Sequence, residues 1–99
     1  MSFVTTMSEA MTATAGGLQD VGSVVAAGNA AAAVPTTGVI PAAADAVSGL
    51  TAVQFATHAQ MYQAISAQAA TIHALFVATL GASAGSYAAA EAANAATLI

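Results

Sequence analysis

The sequence holds few side chains whose type and spacing could support chemistry, and the first of them is a serine. Residues 81–85 read Gly-Ala-Ser-Ala-Gly, which matches the G-x-S-x-G pattern of a nucleophilic serine. That chemistry requires a strand before the serine, a helix after it, and an acid and a histidine further along the chain. A helical pattern precedes Ser83 and both histidines lie upstream of it. We therefore expect a flexible break here rather than an esterase nucleophile.

The histidines and carboxylates do not form a recognisable metal or acid–base site. His58 and His73 are the only imidazoles, and their spacing of 15 residues separates them by about four helical turns. This is too far for them to share one metal ion on one helix. The chain has no cysteine, and its four carboxylates are scattered: Glu9, Asp20, Asp45 and Glu91. We expect no catalytic residue, no cofactor and no metal ion.

Tyr87 and Glu91 form a more informative pair. They stand at positions i and i+4, so a helix would place them on one face. The residues around them are almost all alanine, which leaves one aromatic ring and one acid exposed on a plain background. On spacing alone, a recognition signal and a chance tyrosine in a tail both remain open.

Composition excludes several classes of function. The chain has 99 residues, enough for one small domain, with 59% apolar residues, 4% charged residues and no lysine or arginine. Without basic side chains it cannot neutralise phosphates, which excludes nucleic-acid binding and basic attachment to anionic lipid. The start of the chain lacks the basic and apolar regions of a secretory signal peptide, and no window resembles a strongly apolar transmembrane helix.

Two helices and a loop account for the chain. The segment Thr6-Met7-Ser8-Glu9 has the form of a capping box, which predicts helix 1 at about residues 7–34. Pro35 ends or kinks that helix, so residues 35–44 form a loop and Asp45 is the expected N-cap of the next helix. Helix 2 is expected at about residues 45–80, followed by a tail at about 81–99. The tail starts with a weak stretch at 81–86, and its alanine-rich remainder is either helical or frayed.

Helix 2 carries an apolar arc that one neighbouring helix could not cover. At about 100° per residue its large apolar side chains span roughly 160°, whereas helix 1 offers only a narrow seam. With 31 of its 99 residues alanine, the chain gains little from burial alone against the entropy of folding. We therefore expect another chain to cover this arc, since exposed apolar patches of this size mark interfaces.

Several short motifs along almost the whole chain resemble the mycobacterial PE family. The resemblance rests on Met1-Ser2-Phe3-Val4-Thr5-Thr6, Asn29-Ala30-Ala31-Ala32-Ala33, Pro35-Thr36-Thr37-Gly38-Val39, Pro41-Ala42-Ala43-Ala44-Asp45, Val47-Ser48, Gln54-Phe55, His58-Ala59-Gln60-Met61-Tyr62, Ser83-Ala84-Gly85-Ser86-Tyr87 and Glu91-Ala92-Ala93-Asn94-Ala95. One position departs from the family, because its Pro-Glu signature stands here as Ser8-Glu9. Serine is acceptable in the first turn of a helix, so we expect no change of fold.

The resemblance implies an all-α fold and a non-enzymatic role. It implies a single PE domain over residues 1–99, without a C-terminal extension, folded as a two-helix antiparallel hairpin. This hairpin would complete a four-helix bundle with a PPE-family protein as an obligate heterodimer. The interface on this chain would comprise Met11, Leu18, Val21, Val25, Leu50, Phe55, His58, Met61, Tyr62, Ile65, Ile72, Leu75, Phe76 and Leu80.

The resemblance also implies export. Tyr87 and Glu91 would form the Y-x-x-x-D/E signal of type VII secretion, and an EspG-type chaperone would bind mainly through the PPE partner. The destination would be the cell envelope or the outside of the cell. Two alternatives remain: a component of an outer-membrane channel for small solutes, formed with the PPE partner, and an esterase that uses Ser83.

Overall fold

A computed structural model describes residues 4–97, and throughout that range the regular structure is helical. Helix α1 spans Ser8–Thr37 and helix α2 spans Ala46–Thr97, with 30 and 52 residues respectively. No strand occurs within residues 4–97. Alanine, the strongest helix former, dominates both helices. The all-α prediction is confirmed, and the two helices fit a hairpin.

The chain divides into two compact units, which are described separately. The first, the terminal unit, contains residues 4–22 and 73–97 of the described chain; the second, the loop unit, contains residues 23–72. Each unit combines a segment of α1 with a segment of α2. In the terminal unit, residue 6 bonds to residue 91 and residue 18 to residue 73, so the two segments run antiparallel.

The start of α1 differs from the predicted capping box. The carbonyl of Met7 accepts the first helical hydrogen bond, from the Met11 N–H at 3.2 Å. The Thr6 N–H, which a capping box would direct to the Glu9 carboxylate, donates instead to Glu91. Glu9 still lies in the first turn, where its charge is favourable to the helix dipole.

Helix α1 continues through Pro35 to Thr37, three residues beyond its predicted end. The hydroxyls of Thr36 and Thr37 donate to carbonyls four residues earlier, at 2.5 and 2.6 Å. The Gly38 N–H donates to the Val34 carbonyl at 3.0 Å. These bonds satisfy carbonyls of the last turn, so the one N–H that proline lacks does not end the helix.

Helix α2 begins as predicted, at Asp45. One carboxylate oxygen of Asp45 accepts from the Ser48 N–H and the other from the Ser48 hydroxyl, each at 2.9 Å. The backbone and hydroxyl bonds from Ser48 hold the pKa of the Asp45 carboxyl below its usual value. Asp45 is therefore an N-cap, and the prediction is confirmed.

Helix α2 does not end near Leu80, where the sequence predicted its last turn. It continues unbroken through Gly81 and Gly85 to Thr97. Ala84 between these glycines is only 2% exposed. Packing of this small side chain explains how the segment stays helical against the low helix propensity of its glycines.

The interior of the hairpin is built mainly from small and polar residues, with a few larger apolar side chains in the terminal unit. Within residues 4–97 four side chains are buried, and all are alanines: Ala15, Ala52, Ala59 and Ala84. The less exposed positions of α2 recur at intervals of mostly three and four residues, which places them on one face. In the loop unit they are Ser48, Gly49, Ala52, Ala56, Ala59, Gln63 and Ser66; in the terminal unit they are His73, Val77, Leu80, Ser83, Ala84 and Glu91.

The large apolar side chains lie mainly on the outside. Val24, Val34, Ile40 and Val47, for example, are each more than 70% exposed. By length and composition alone, α2 could also cross a membrane, which the sequence had not indicated. Core helices of soluble proteins pass the same test when they are buried, but the apolar window of α2 is not buried within this chain.

Candidate interaction surfaces

The loop unit exposes a set of large apolar side chains on α2, here called the loop-unit apolar face. Phe55 is 63% exposed, Ile65 61% and Ile72 67%. The other members are Val47, Leu50, Val53, Met61 and Tyr62, all at least half exposed. Hairpin packing therefore leaves this face free, because α1 contacts the alanine-rich side of α2 instead. The face contains six of the predicted interface residues.

A groove of about 410 Å³ lies beside this face, within the loop unit. It is lined by Asn29, Ala32, Pro35, Thr36, Val39, Phe55, His58, Ala59 and Tyr62. The Tyr62 hydroxyl donates to Asn29 Oδ1 at 2.7 Å, and Gln63 Nε2 donates to the Asn29 carbonyl at 2.9 Å. These bonds fix one wall of an otherwise apolar groove. His58, predicted at the interface, is exposed and lines the same groove.

In the terminal unit the predicted interface residues divide into two groups. Val21, Leu75 and Phe76 are exposed, and Leu75 is 64% exposed. Met11, Leu18 and Leu80 are half-buried, so the hairpin already uses part of their surface. The last predicted residue of α1, Val25 in the loop unit, is exposed.

His73 connects the two helical segments of the terminal unit. Its Nε2 lies 2.6 Å from the Leu18 carbonyl oxygen, which can only accept, so Nε2 carries the proton of this hydrogen bond. The ring packs against Gly22, where a Cβ would come within 2.8 Å of His73 Cδ2. The sequence analysis did not predict this contact. The signal that could have found it is the glycine within the predicted helix, which marks a close approach.

Tyr87 and Glu91 have different surroundings, although both lie on α2. Tyr87 is 47% exposed. Glu91 is half-buried, and its Oε1 accepts from the Thr6 N–H at 2.9 Å and from the Thr6 hydroxyl at 3.3 Å. The expectation that both side chains are freely exposed is therefore wrong for Glu91. The pattern of residues along α2 could not show this, because the donors come from a residue 85 positions away.

Ser83 lies inside α2 and is half-buried. It is not on the strand-to-helix turn that exposes a nucleophilic serine. His73 is ten residues earlier on the same helix, about 15 Å along its axis, and its Nε2 is engaged by Leu18. The described residues hold no group of three or more histidine, cysteine, aspartate or glutamate side chains that could bind a metal ion.

The described residues thus form two helices whose buried side chains are alanines and whose large apolar side chains are mostly exposed. The sequence model of the PE family matches residues 4–94. PE family protein PE13 of Mycobacterium tuberculosis is 62% identical over 96 residues, which is 97% of each chain. The chain therefore belongs to the PE family.

Longer members of the family share the same region. PE-PGRS family proteins PE_PGRS33 and PE_PGRS8 of Mycobacterium tuberculosis are 60% and 56% identical to this chain over 98 residues. That alignment covers 99% of this chain but only 20% and 56% of those proteins. The chain thus spans about a fifth and about half of these two relatives.

Proposed function

We propose that this PE protein is a non-enzymatic interaction module that forms an obligate heterodimer with a PPE-family protein and is exported by type VII secretion. The two proteins would pack as a four-helix bundle. The pair would reach the cell envelope or the exterior, delivered by an EspG-type chaperone that binds mainly through the PPE partner. Tyr87 and Glu91 would supply the export signal.

The exposed apolar side chains carry this proposal. On α2, Leu50, Ile65, Ile72 and Leu75 are each more than 60% exposed. Large apolar side chains of this kind are what the partner covers in an obligate complex. The four buried side chains of the described residues are alanines, so the hairpin leaves most of the surface of these larger side chains uncovered.

The chemistry of the exposed surface also limits the partner. The chain carries no lysine or arginine and only four acidic residues, with a net charge of −4. Ion pairs between this chain and a partner therefore contribute little to recognition. The partner must present an apolar helical surface that fills the groove beside Phe55 and His58 and covers Ile65 and Ile72. A PPE-family helical pair is the partner that family membership suggests.

Co-expression tests the heterodimer. The full chain is expressed alone and together with the PPE protein of the adjacent reading frame, where one is present, and both preparations are examined by circular dichroism and sedimentation. We expect the chain alone to be largely insoluble or unfolded, and the pair to be helical, soluble and of 1:1 stoichiometry. A chain that melts cooperatively as a soluble monomer on its own would refute the proposal.

A second candidate function rests on the apolar character of α2. This helix is long and apolar enough to cross a bilayer, and its apolar window is unburied within the chain. A role in an outer-membrane channel for small solutes, formed with the PPE partner, would use that property. Partitioning of the purified heterodimer into lipid vesicles favours the channel, whereas a dimer that stays wholly in the aqueous phase opposes it.

A further inference from the structure

The environment of Glu91 differs from that of a freely presented acid. Its Oε1 is 2.9 Å from the Thr6 nitrogen and 3.3 Å from the Thr6 hydroxyl, and both groups are partly buried. With no lysine or arginine in the chain, an acid here finds no basic side-chain partner other than histidine. Instead, the uncharged N–H and hydroxyl groups of Thr6, just before α1, donate to the Glu91 carboxylate. One oxygen thereby ties the far end of α2 to the segment that leads into α1.

This contact, here called the cap, joins the Glu91 carboxylate to Thr6, the residue just before the N-cap position Met7. The first N–H groups of a helix lack intrahelical acceptors, and a negative charge near them is favourable. Thr6 lies two residues before Ser8, where α1 begins. The Glu91 carboxylate therefore fixes the entry of the chain into α1 and adds negative charge near the positive end of its dipole.

We infer that Glu91 acts as a positioning residue, which holds residues 4–7 against α2 beside Tyr87, and that Thr6 is a third member of the export signal. This inference rests on the proposed function for its export part only. The surface presented for recognition is then the half-exposed Tyr87 ring together with the Thr6 segment. Glu91 contributes through its hydrogen bonds rather than as a charge that the secretion machinery contacts.

Substitutions at two positions, Glu91 and Thr6, separate these roles. Glu91→Gln removes the charge but keeps a carbonyl oxygen that can accept from Thr6, whereas Glu91→Ala removes the acceptor. Thr6→Pro removes the N–H donor and leaves both Tyr87 and Glu91 in place, and Thr6→Ser keeps both donors. Glu9→Gln is the matched control, because it neutralises the other glutamate of the chain, which is exposed in the first turn of α1.

Hydrogen exchange at the Thr6 amide tests the cap without reference to export. It is measured on the full chain in complex with whatever partner co-purifies with it. We expect Glu91→Ala to speed exchange about tenfold or more, since a bond to a charged group is lost, and Glu91→Gln and Glu9→Gln to change it by less than about threefold. Unchanged exchange in Glu91→Ala would overturn the cap.

Export is then measured as the fraction of tagged chain outside the cell, with circular dichroism and complex yield as folding controls. We expect Glu91→Ala and Thr6→Pro each to lower export at least fivefold, and Glu91→Gln and Thr6→Ser to stay within twofold of wild type. Loss of export in Glu91→Gln with Thr6 exchange unchanged would overturn the positioning role, because the charge itself would then be required. Normal export of a folded Thr6→Pro variant would also overturn it.

The failure of the proposed function gives a different pattern. If Tyr87→Ala is exported normally, the pair is no export signal, and Thr6 cannot be part of one. The exchange experiment still decides whether Glu91 caps α1. A slow Thr6 amide in wild type and a fast one in Glu91→Ala would then assign the contact to stability alone and overturn its export role.

Discussion

Gly22 packs directly against the imidazole of His73: a Cβ on Gly22 would lie 2.8 Å from His73 Cδ2 and 3.0 Å from Nε2. The same Nε2 is held 2.6 Å from the Leu18 carbonyl. The ring therefore cannot move away from a larger residue at position 22 without losing its hydrogen bond. Gly22 is the glycine at which the absence of a side chain allows the two helical segments of the terminal unit to approach.

Gly22→Ala is accordingly expected to destabilise the protein by about 1–2 kcal/mol, because overpacking exceeds the gain in helix propensity. The measurement is urea unfolding of the purified, partnered chain. Gly17→Ala is the matched control, since nothing lies within 4 Å of a Cβ there. In the background of His73→Ala the penalty at position 22 is expected to disappear; if it persists, the ring is not its cause.

Asp45 gives the stability of the chain a pH dependence. Its pKa is lowered from 3.8 by the two bonds from Ser48, so the folded state favours the charged form. The stabilisation is present above the unfolded pKa and is lost as the pH falls through the lower folded pKa. The free energy of unfolding, measured between pH 7 and pH 2, is expected to fall in wild type as Asp45 becomes protonated. In Asp45→Asn the part of this fall that is due to Asp45 is expected to be absent. Identical profiles would mean that the cap is not coupled to ionisation.

Ile65→Asp is expected to abolish the complex with the PPE partner in co-expression, and with it the soluble helical form of the chain. An unpaired carboxylate in a covered apolar face carries a desolvation cost of several kcal/mol, enough to reduce affinity more than a thousandfold. Pull-down and sedimentation measure the complex. Gln60→Asp, exposed on α2 but outside the apolar face, is expected to bind normally. Equal binding by both variants would place the interface elsewhere.

Tyr87→Ala is expected to abolish export without dissociating the heterodimer, because the ring is about half exposed and lies outside the loop-unit apolar face. The ratio of secreted to cellular chain gives the result. Tyr87→Phe, which keeps the ring, separates the aromatic surface from the hydroxyl. Wild-type secretion of Tyr87→Ala would remove the signal assignment.

Ser83→Ala is expected to have no catalytic consequence. The serine lies within α2 and is half-buried, so the purified chain should hydrolyse a short acyl ester no faster than buffer does. Hydrolysis that disappears in Ser83→Ala would instead support the esterase alternative.

Sequence patterns predicted the helical fold and the start of α2 because both depend on local chemistry. Alanine favours the helix at its own position, and the Asp45 carboxylate accepts hydrogen bonds from a residue only three positions later. The end of α2 was not predictable in this way, since burial of Ala84 holds a glycine-rich stretch in the helix. The prediction that α1 ends at Pro35 was wrong for a related reason. Hydrogen bonds from the Thr36 and Thr37 hydroxyls accompany a last turn that extends beyond the proline.

The candidate sites were predictable to a similar, partial degree. The periodicity of α2 identified the exposed apolar residues such as Phe55 and Ile65, because their spacing alone places them on one face. The periodicity could not show which face of α2 packs against α1. The contact face depends on how small residues of the two helices fit together, and it includes the half-buried Gln63 and His73. The bond from Thr6 to Glu91 joins distant parts of the chain and has no sequence periodicity.

The alanine interior has a consequence for the life of the protein in the cell. Methyl groups contribute little to the free energy of folding, so a copy without its partner would open frequently and be exposed to proteases. If the proposed heterodimer forms, the supply of the covering protein would set the abundance of this chain. Surplus copies would be degraded, which would keep the two proteins in equal amounts without any dedicated regulator.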